Sequence, residues 1–298
     1  MPDPADPGVT MSSGTLDATF LPDLGMLGVS LRHVGDELLA LPGGLDGYRA
    51  GRVTGLPLLA PWANRLAAWR YAVGDVEVDL AGLDLATDPN GLPIHGTMTA
   101  RPGWEVTARR PGAVEARYDL GAHADLLASF PFPHELRLAV AVEGATLWFT
   151  TTLAPTGDRA VPVSFGYHPY LRLPGVARPE VRLRLPARRH LALDARSIPT
   201  GGGEDEPEED RPIGDRLFDD HYALDGDGRF ALAGGGRTVT LRMGDGYRYA
   251  QVFTDPTGDT VCLEPMTAPV NALVDGGCPL VEPGDSFTAS FSVEVEVA

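Results

Sequence analysis

The chain has 298 residues, 43% of them hydrophobic, and a formal net charge of -17, which opposes nucleic acid and anionic membranes because their phosphates are repelled rather than gathered. That charge does not favour a phosphorylated substrate either, unless a local cluster of arginines overrides the global field. There is no lysine, so all 24 basic residues are arginines, which excludes Schiff-base catalysis and a P-loop lysine.

The N-terminal stretch Met1-Pro2-Asp3-Pro4-Ala5-Asp6-Pro7 is acidic and proline-rich. It has neither the basic nor the apolar region of a secretory leader, and no run approaches the length of a membrane span, so the expected address is cytoplasmic. Residues 1–14 read as a disordered lead-in. Residues 15–298 read as one domain, since no internal repeat or Pro/Ser-rich linker divides them. Residues 27–34 alternate apolar and polar positions and end at the turn Gly35-Asp36. Residues 56–65 carry two prolines and no long helical pattern, so they read as an irregular loop crossing the surface, the kind that often carries function.

Gly74-Asp75 between residues 70–73 and 76–79 is a two-residue hairpin signal. A second hairpin joins residues 136–142 to 147–153 through Glu143-Gly144, with β-branched and aromatic residues that favour strands. Further strands are expected at 181–185, 238–242, 249–253, 261–263 and 287–295. The segment 201–210 opens on three glycines and becomes acidic, which reads as a solvated, mobile loop. Only Cys262 and Cys278 are present, without a C-x-x-C pair, so neither a disulfide framework nor a structural zinc site is suggested. With 36 Gly and 27 Pro punctuating the strands, and no ten-residue amphipathic helix capped at both ends, an all-β architecture follows.

Four segments pair a titratable or hydrogen-bonding side chain with turn-forming neighbours. They are Asn64-Arg65, Pro93-Ile94-His95-Gly96, Gly166-Tyr167-His168-Pro169 and Leu263-Glu264-Pro265-Met266-Thr267. Pro169 biases His168 away from helical geometry, and the aromatic rings around that imidazole suit a sugar, whose C–H faces stack on aromatics. The same stretch also reads as a buried aromatic strand with a satisfied histidine. Two His and one Glu raise the question of a metal, but no H-E-x-x-H or H-x-H spacing supports one. No G-x-S-x-G elbow supports a serine nucleophile, and a glycosidase would need a second carboxylate, for which Asp220 is the available partner of Glu264.

Taken together, these segments resemble the aldose 1-epimerase, or galactose mutarotase, family. The specific parts are Pro61-Trp62-Ala63-Asn64-Arg65, Ile94-His95-Gly96, Phe165-Gly166-Tyr167-His168-Pro169-Tyr170, and Cys262-Leu263-Glu264-Pro265-Met266-Thr267-Ala268-Pro269 followed by Asn271-Ala272. The stretch from Ser129 to His134 is similar to the family's Pro-Phe strand entrance. The resemblance runs from the strand around Gly28 to the one near Phe291.

It implies a large, twisted antiparallel β-sandwich holding a free aldose such as galactose or glucose, with the chain a monomer or homodimer. By that likeness Glu264 is the general base at the anomeric hydroxyl and His168 the general acid at the ring oxygen. His95 and Arg65 would hydrogen-bond the sugar and its developing charge, and Asp220 looks like the ligand-binding aspartate, with Asp219 as its alternative. Asn64 and Tyr167 complete the implied binding set. Such chemistry suits a carboxylate and an imidazolium on opposite sides of a pocket, and needs no cofactor and no metal. Glu264 also reads as a structural carboxylate paired with Arg65, and His95 as a turn-stabilising residue. Within the same fold the alternatives are a hexose-6-phosphate 1-epimerase, with Arg182, Arg184, Arg188 and Arg189 as a source of phosphate ligands, and a noncatalytic carbohydrate-binding protein.

Overall fold

In the strand His134–Glu143 every second side chain is buried, and its hairpin partner Thr146–Pro155 repeats the pattern. That period of two marks a sheet packed on one face. The structure, a computed structural model, describes residues 8–226 and 228–297. Among these residues the two strands lie inside a nine-stranded antiparallel sheet, with the long strand Phe287–Val297 beside Thr146–Pro155 and Arg237–Met243 beyond it. The helices are short, the longest spanning six residues, and none is long and apolar enough to cross a membrane.

A second, eight-stranded antiparallel sheet carries the chemistry-bearing segments. From its third strand to its edge it runs Asp219–Ala223, Tyr249–Thr254, Val261–Met266, Gly166–Tyr167 and Leu58–Leu59, with Tyr170–Leu171 also paired to Val261–Met266. The sheets meet through aromatic side chains. Phe149 and Phe291 of the first stack with centroids 4.4 Å apart, and Tyr167 of the second lies 5.5 Å and 5.0 Å from them. All three rings are buried, and the Tyr167 hydroxyl is satisfied by Thr151 at 2.7 Å, as a phenol in a core requires. The result is the all-β sandwich expected, including both hairpins.

Three expectations change. Within the predicted lead-in, Val9–Ser12 is a strand paired with Leu16–Leu21, held by the buried side chains of Val9 and Met11; residues 1–7 lie outside the described residues. Residues 201–210 are not a loop, since Pro199–Glu206 and Glu209–Pro212 are strands. Arg189 faces Asp205, and Arg182 and Arg184 face Asp210, so cross-strand charge pairing holds this acidic stretch in a sheet. The stretch 56–65 lies in the interior rather than on the surface, with Trp62 fully buried. Burial is tolerated because its backbone is paired: the Ala63 N–H donates to Ser164, and the Ala60 carbonyl accepts from Thr97 and Met98.

Truncating Phe291 to Ala should cost about 3–5 kcal/mol, the range for removing a large aromatic from a packed core. Denaturant unfolding monitored by fluorescence checks this, and a loss below about 1 kcal/mol would show that the contact between the sheets does not depend on the ring.

Candidate active site

The strand Val261–Met266 is buried at all six positions, the pattern of a strand covered on both faces. Glu264 interrupts this apolar run with a carboxyl only 2% exposed. Its register partner on the neighbouring strand is Gln251, and Asp219 sits one strand further out, opposite Phe253. Alternation puts Asp219, Gln251, Phe253 and Glu264 on one face of the sheet. His168 reaches the same face from the turn between Gly166–Tyr167 and Tyr170–Leu171. Its Nε2 lies 3.2 Å from Glu264 Oε1, and its ring stacks on Tyr170 with centroids 4.6 Å apart. These residues line a cavity of about 650 Å³ together with Asn64, Arg65, Asp88 and His95, a size typical of small-molecule sites.

The opposite wall is built by two residues with backbones in the left-handed region, Asn64 at φ 59° and His95 at φ 64°. Non-glycine residues seldom adopt this conformation, and it persists only where surrounding structure imposes it. Here the two are tied together. The His95 N–H donates to the Asn64 carbonyl at 3.0 Å, and the Asn64 N–H donates to His95 Nδ1 at 3.3 Å. That second bond assigns the proton to Nε2 and makes His95 a neutral donor. Gly96 follows at φ 65°, and a Cβ there would clash with the Ala60 carbonyl. Asn271 Oδ1 accepts from the Ala67 N–H at 2.6 Å, and its own N–H donates to the Arg65 carbonyl at 3.0 Å, fixing the loop from below.

Arg65 is clamped by three acceptors. Nε donates to Asp88 at 3.0 Å, Nη2 to Asp219 at 3.0 Å and Nη1 to Asn64 at 3.1 Å. Gln251 Nε2 donates to the other Asp219 oxygen at 2.7 Å. Burial pushes Asp88 up, but the Leu92 N–H, the Asn90 side chain, Arg65 and the Asn90 N–H more than offset it and hold the carboxyl below its ordinary value.

Burial acts on the central pair in the opposite sense for its two members. It pushes Glu264 well above the usual carboxylate range, with Asp219 adding to the rise and Arg65 opposing it. It brings His168 down to about 4, and His95 well below its ordinary value with help from the charges of His168 and Arg65. A desolvated site favours the uncharged forms, here the Glu264 carboxyl and the neutral His168 imidazole. A carboxylate beside an imidazolium holds the same number of protons, so exchanging the two states needs no proton from solvent. Glu264 Oε2, His168 Nδ1 and Gln251 Oε1 are buried without a hydrogen-bond partner. Buried polar atoms are nearly always satisfied, and three orphans at one cavity suit a hydroxylated ligand.

Of the sequence-predicted residues, Glu264, His168, His95, Arg65 and Asn64 converge on this cavity. Asp220 does not. The strand Asp219–Ala223 alternates, so Asp219 faces the cavity and Asp220 faces away, 3.6 Å from His190 and bordering a different surface cavity. Tyr167 is likewise turned into the core between the sheets, and Tyr170 supplies the cavity phenol in its place. The acid–base pair lies side by side rather than on opposite sides of the pocket, because both groups belong to one sheet face. Sequence reasoning missed Asp88 and Gln251. Asp88-Pro89-Asn90-Gly91 is a readable turn whose aspartate caps its own backbone, but Gln251 sits in an apolar strand with no local signal.

The sequence profile of one family, described as Aldose 1-epimerase, matches residues 25–294. No curated protein matches the chain. Among solved structures, a galactose mutarotase-like protein from Clostridium acetobutylicum is similar at 19% identity and a TM-score of 0.83, covering 97% of this chain and 95% of that one. An aldose epimerase homologue from C. elegans has a TM-score of 0.82 at 14% identity, covering 98% and 99%. A galactose 1-epimerase from Lactobacillus acidophilus NCFM has a TM-score of 0.76 at 14% identity, covering 97% and 94%. The fold is thus galactose mutarotase-like.

The raised Glu264 carboxyl has a consequence for stability. The folded chain keeps a proton that the unfolded chain releases above its ordinary value of 4.5, so this group's contribution is lost as pH rises through that window. Glu264→Gln cannot titrate. Its melting temperature relative to the parent should therefore climb between pH 5 and pH 8, and a constant difference across that range would contradict a raised carboxyl. The buried histidines His134, His168 and His221 are brought down to about 4. Below their ordinary 6.5 the unfolded chain takes up protons that the folded one refuses, so they destabilise the parent between pH 6.5 and 4.

Proposed function

Because the chain belongs to the aldose 1-epimerase family, we propose that it interconverts the α and β anomers of a free aldohexose such as galactose or glucose, by acid–base opening and closing of the pyranose ring. The observation that carries this reading is the 3.2 Å contact between Glu264 and His168 at a cavity. The anomeric hydroxyl and the ring oxygen are borne by one carbon, so groups that exchange protons with both must lie side by side.

In the reactive form Glu264 is the carboxylate and His168 the imidazolium. Glu264 takes the proton of the anomeric hydroxyl, His168 gives its proton to the ring oxygen, and the bond from C1 to that oxygen breaks as the carbonyl forms. Rotation about the C1–C2 bond presents the other face of the aldehyde. Closure returns one proton to His168 and one to C1–O, so the protein ends as it began. A sugar hydroxyl donating to the orphaned Glu264 Oε2 favours the carboxylate, as does the Arg65 charge. Arg65 and Asp219 form an ion pair, so their fields on Glu264 oppose each other. His95, a neutral donor, is suited to an oxygen that gains charge without adding a competing acid.

The charge distribution favours a free sugar over a hexose 6-phosphate. Arg182 and Arg184 face Asp210, Arg188 faces Glu206 and Glu209, and Arg189 faces Asp205, so none of the four is uncommitted and none lines the cavity. A noncatalytic binder has no use for a buried carboxyl left half-satisfied beside an imidazole, an arrangement that costs stability.

Glu264→Gln should bind sugar and lose about 10²–10⁴-fold in the rate of anomer interconversion, followed by polarimetry or NMR on freshly dissolved α-galactose and α-glucose. Parent-like rates in this variant would remove the proposed base.

A further inference from the structure

Asp88 and Asp219 hold one guanidinium, yet they differ in what else they can accept. The Asp88 side chain is 1% exposed and the Asp219 side chain 38%. Asp88 is therefore closed to a ligand, whereas Asp219 stands open to the cavity beside Gln251. A single carboxylate opposite Arg65 would have to answer its whole charge. With two, the buried one fixes the guanidinium through Nε, and the open one keeps acceptor capacity for a hydroxyl.

The two oxygens of Asp88 serve different partners. Oδ1 accepts from the N–H groups of Asn90 and Leu92, both at 2.9 Å, which closes the turn from Asp88 to Leu92. Oδ2 accepts from Arg65 Nε at 3.0 Å and from Asn90 Nδ2 at 3.2 Å. The turn is itself tied into the wall that carries His95. The Asp88 N–H donates to the Leu92 carbonyl, Thr87 bridges Pro93, and Arg65 bridges Ile94. Arg65 Nε is thus anchored to that wall, and Nη2 to the sheet that carries Glu264.

We propose that Asp88 is a positioning residue of this site: it fixes Arg65 from a closed position and so leaves Asp219 free to accept from a sugar hydroxyl. It acts through Arg65 alone. The inference rests on the mutarotase reading for the identity of the ligand as a sugar. Asp88→Asn isolates the role. The turn needs an acceptor at the Oδ1 position, so the amide oxygen stays there and the NH2 group is set against the Arg65 Nε–H, donor to donor. The guanidinium then shifts onto Asp219, its remaining carboxylate, and competes with the sugar for it. Glu264 and His168 bond to each other and not to Asp88, so the loss falls on binding.

The test measures kcat and KM for anomer interconversion of galactose and glucose by NMR in the parent, Asp88→Asn, Arg65→Lys and the double variant. Asp88→Asn should raise KM about 10-fold to 100-fold, with kcat within about threefold of the parent. Arg65→Lys keeps the charge and lacks the Nε–H, so it should raise KM too, and adding Asp88→Asn to it should change KM by less than about twofold. A parent-like KM in Asp88→Asn, a loss confined to kcat, or a double variant carrying the product of both losses overturns the positioning role and leaves the proposed activity standing. If Asp88→Asn does not fold, Arg65→Lys decides: a raised KM supports the role and a parent-like KM overturns it. Turnover of neither sugar by the parent overturns the activity. Calorimetric titration of galactose into the same four proteins then decides Asp88 alone. Binding weakened by Asp88→Asn, but no further in the Arg65→Lys background, supports the role; unchanged, additively weakened or absent binding overturns it.

Discussion

One contact governs the rest of this molecule: a carboxyl and an imidazole, 3.2 Å apart, at the middle of a strand with no exposed residue. Removing an ionisable group from water costs several kcal/mol unless it sheds its charge or finds a partner, and these two do both. Desolvation raises the proton affinity of the carboxyl and lowers that of the imidazole, which favours the uncharged form of each. The same burial that makes them costly to fold is what lets them act as acid and base on two oxygens of one carbon.

Such a pair keeps its geometry only if its surroundings cannot rearrange. Hydrogen-bonded backbone strands hold Glu264 and Gln251 in register, and Tyr170 fixes one face of the His168 ring. The facing wall is held differently. Asn64 and His95 accept an unfavourable backbone conformation because each bonds to the other, and Arg65 is fixed by three acceptors before any ligand arrives. Rigidity of this sort reduces the ordering a ligand must impose when it binds.

Much of the architecture was legible in the chain. Alternation over residues 136–142 and 147–153 marked a one-sided sheet, and both hairpin turns fell where Gly74 and Gly144 adopt positive φ. Local composition misled in two places. Glycine and acid content made residues 201–210 look solvated, yet opposed arginines turn them into strands. Prolines made 56–65 look like a surface loop, yet its carbonyls and amides find partners in segments distant in sequence. In each case the deciding bonds were nonlocal, and a reading of short windows has no access to them.

By itself the sequence determined the fold class, the residue types available for proton transfer and the turns that carry them, because period, β-propensity and turn chemistry are local properties. Only the tertiary structure decided between Asp219 and Asp220 and between Tyr167 and Tyr170. Successive strand residues point to opposite faces, so the choice depends on which face the sheet turns toward the cavity. The separation of Glu264 from His168 and the clamp of Asp88 on Arg65 were likewise set by packing, since they join side chains that no window of sequence contains together.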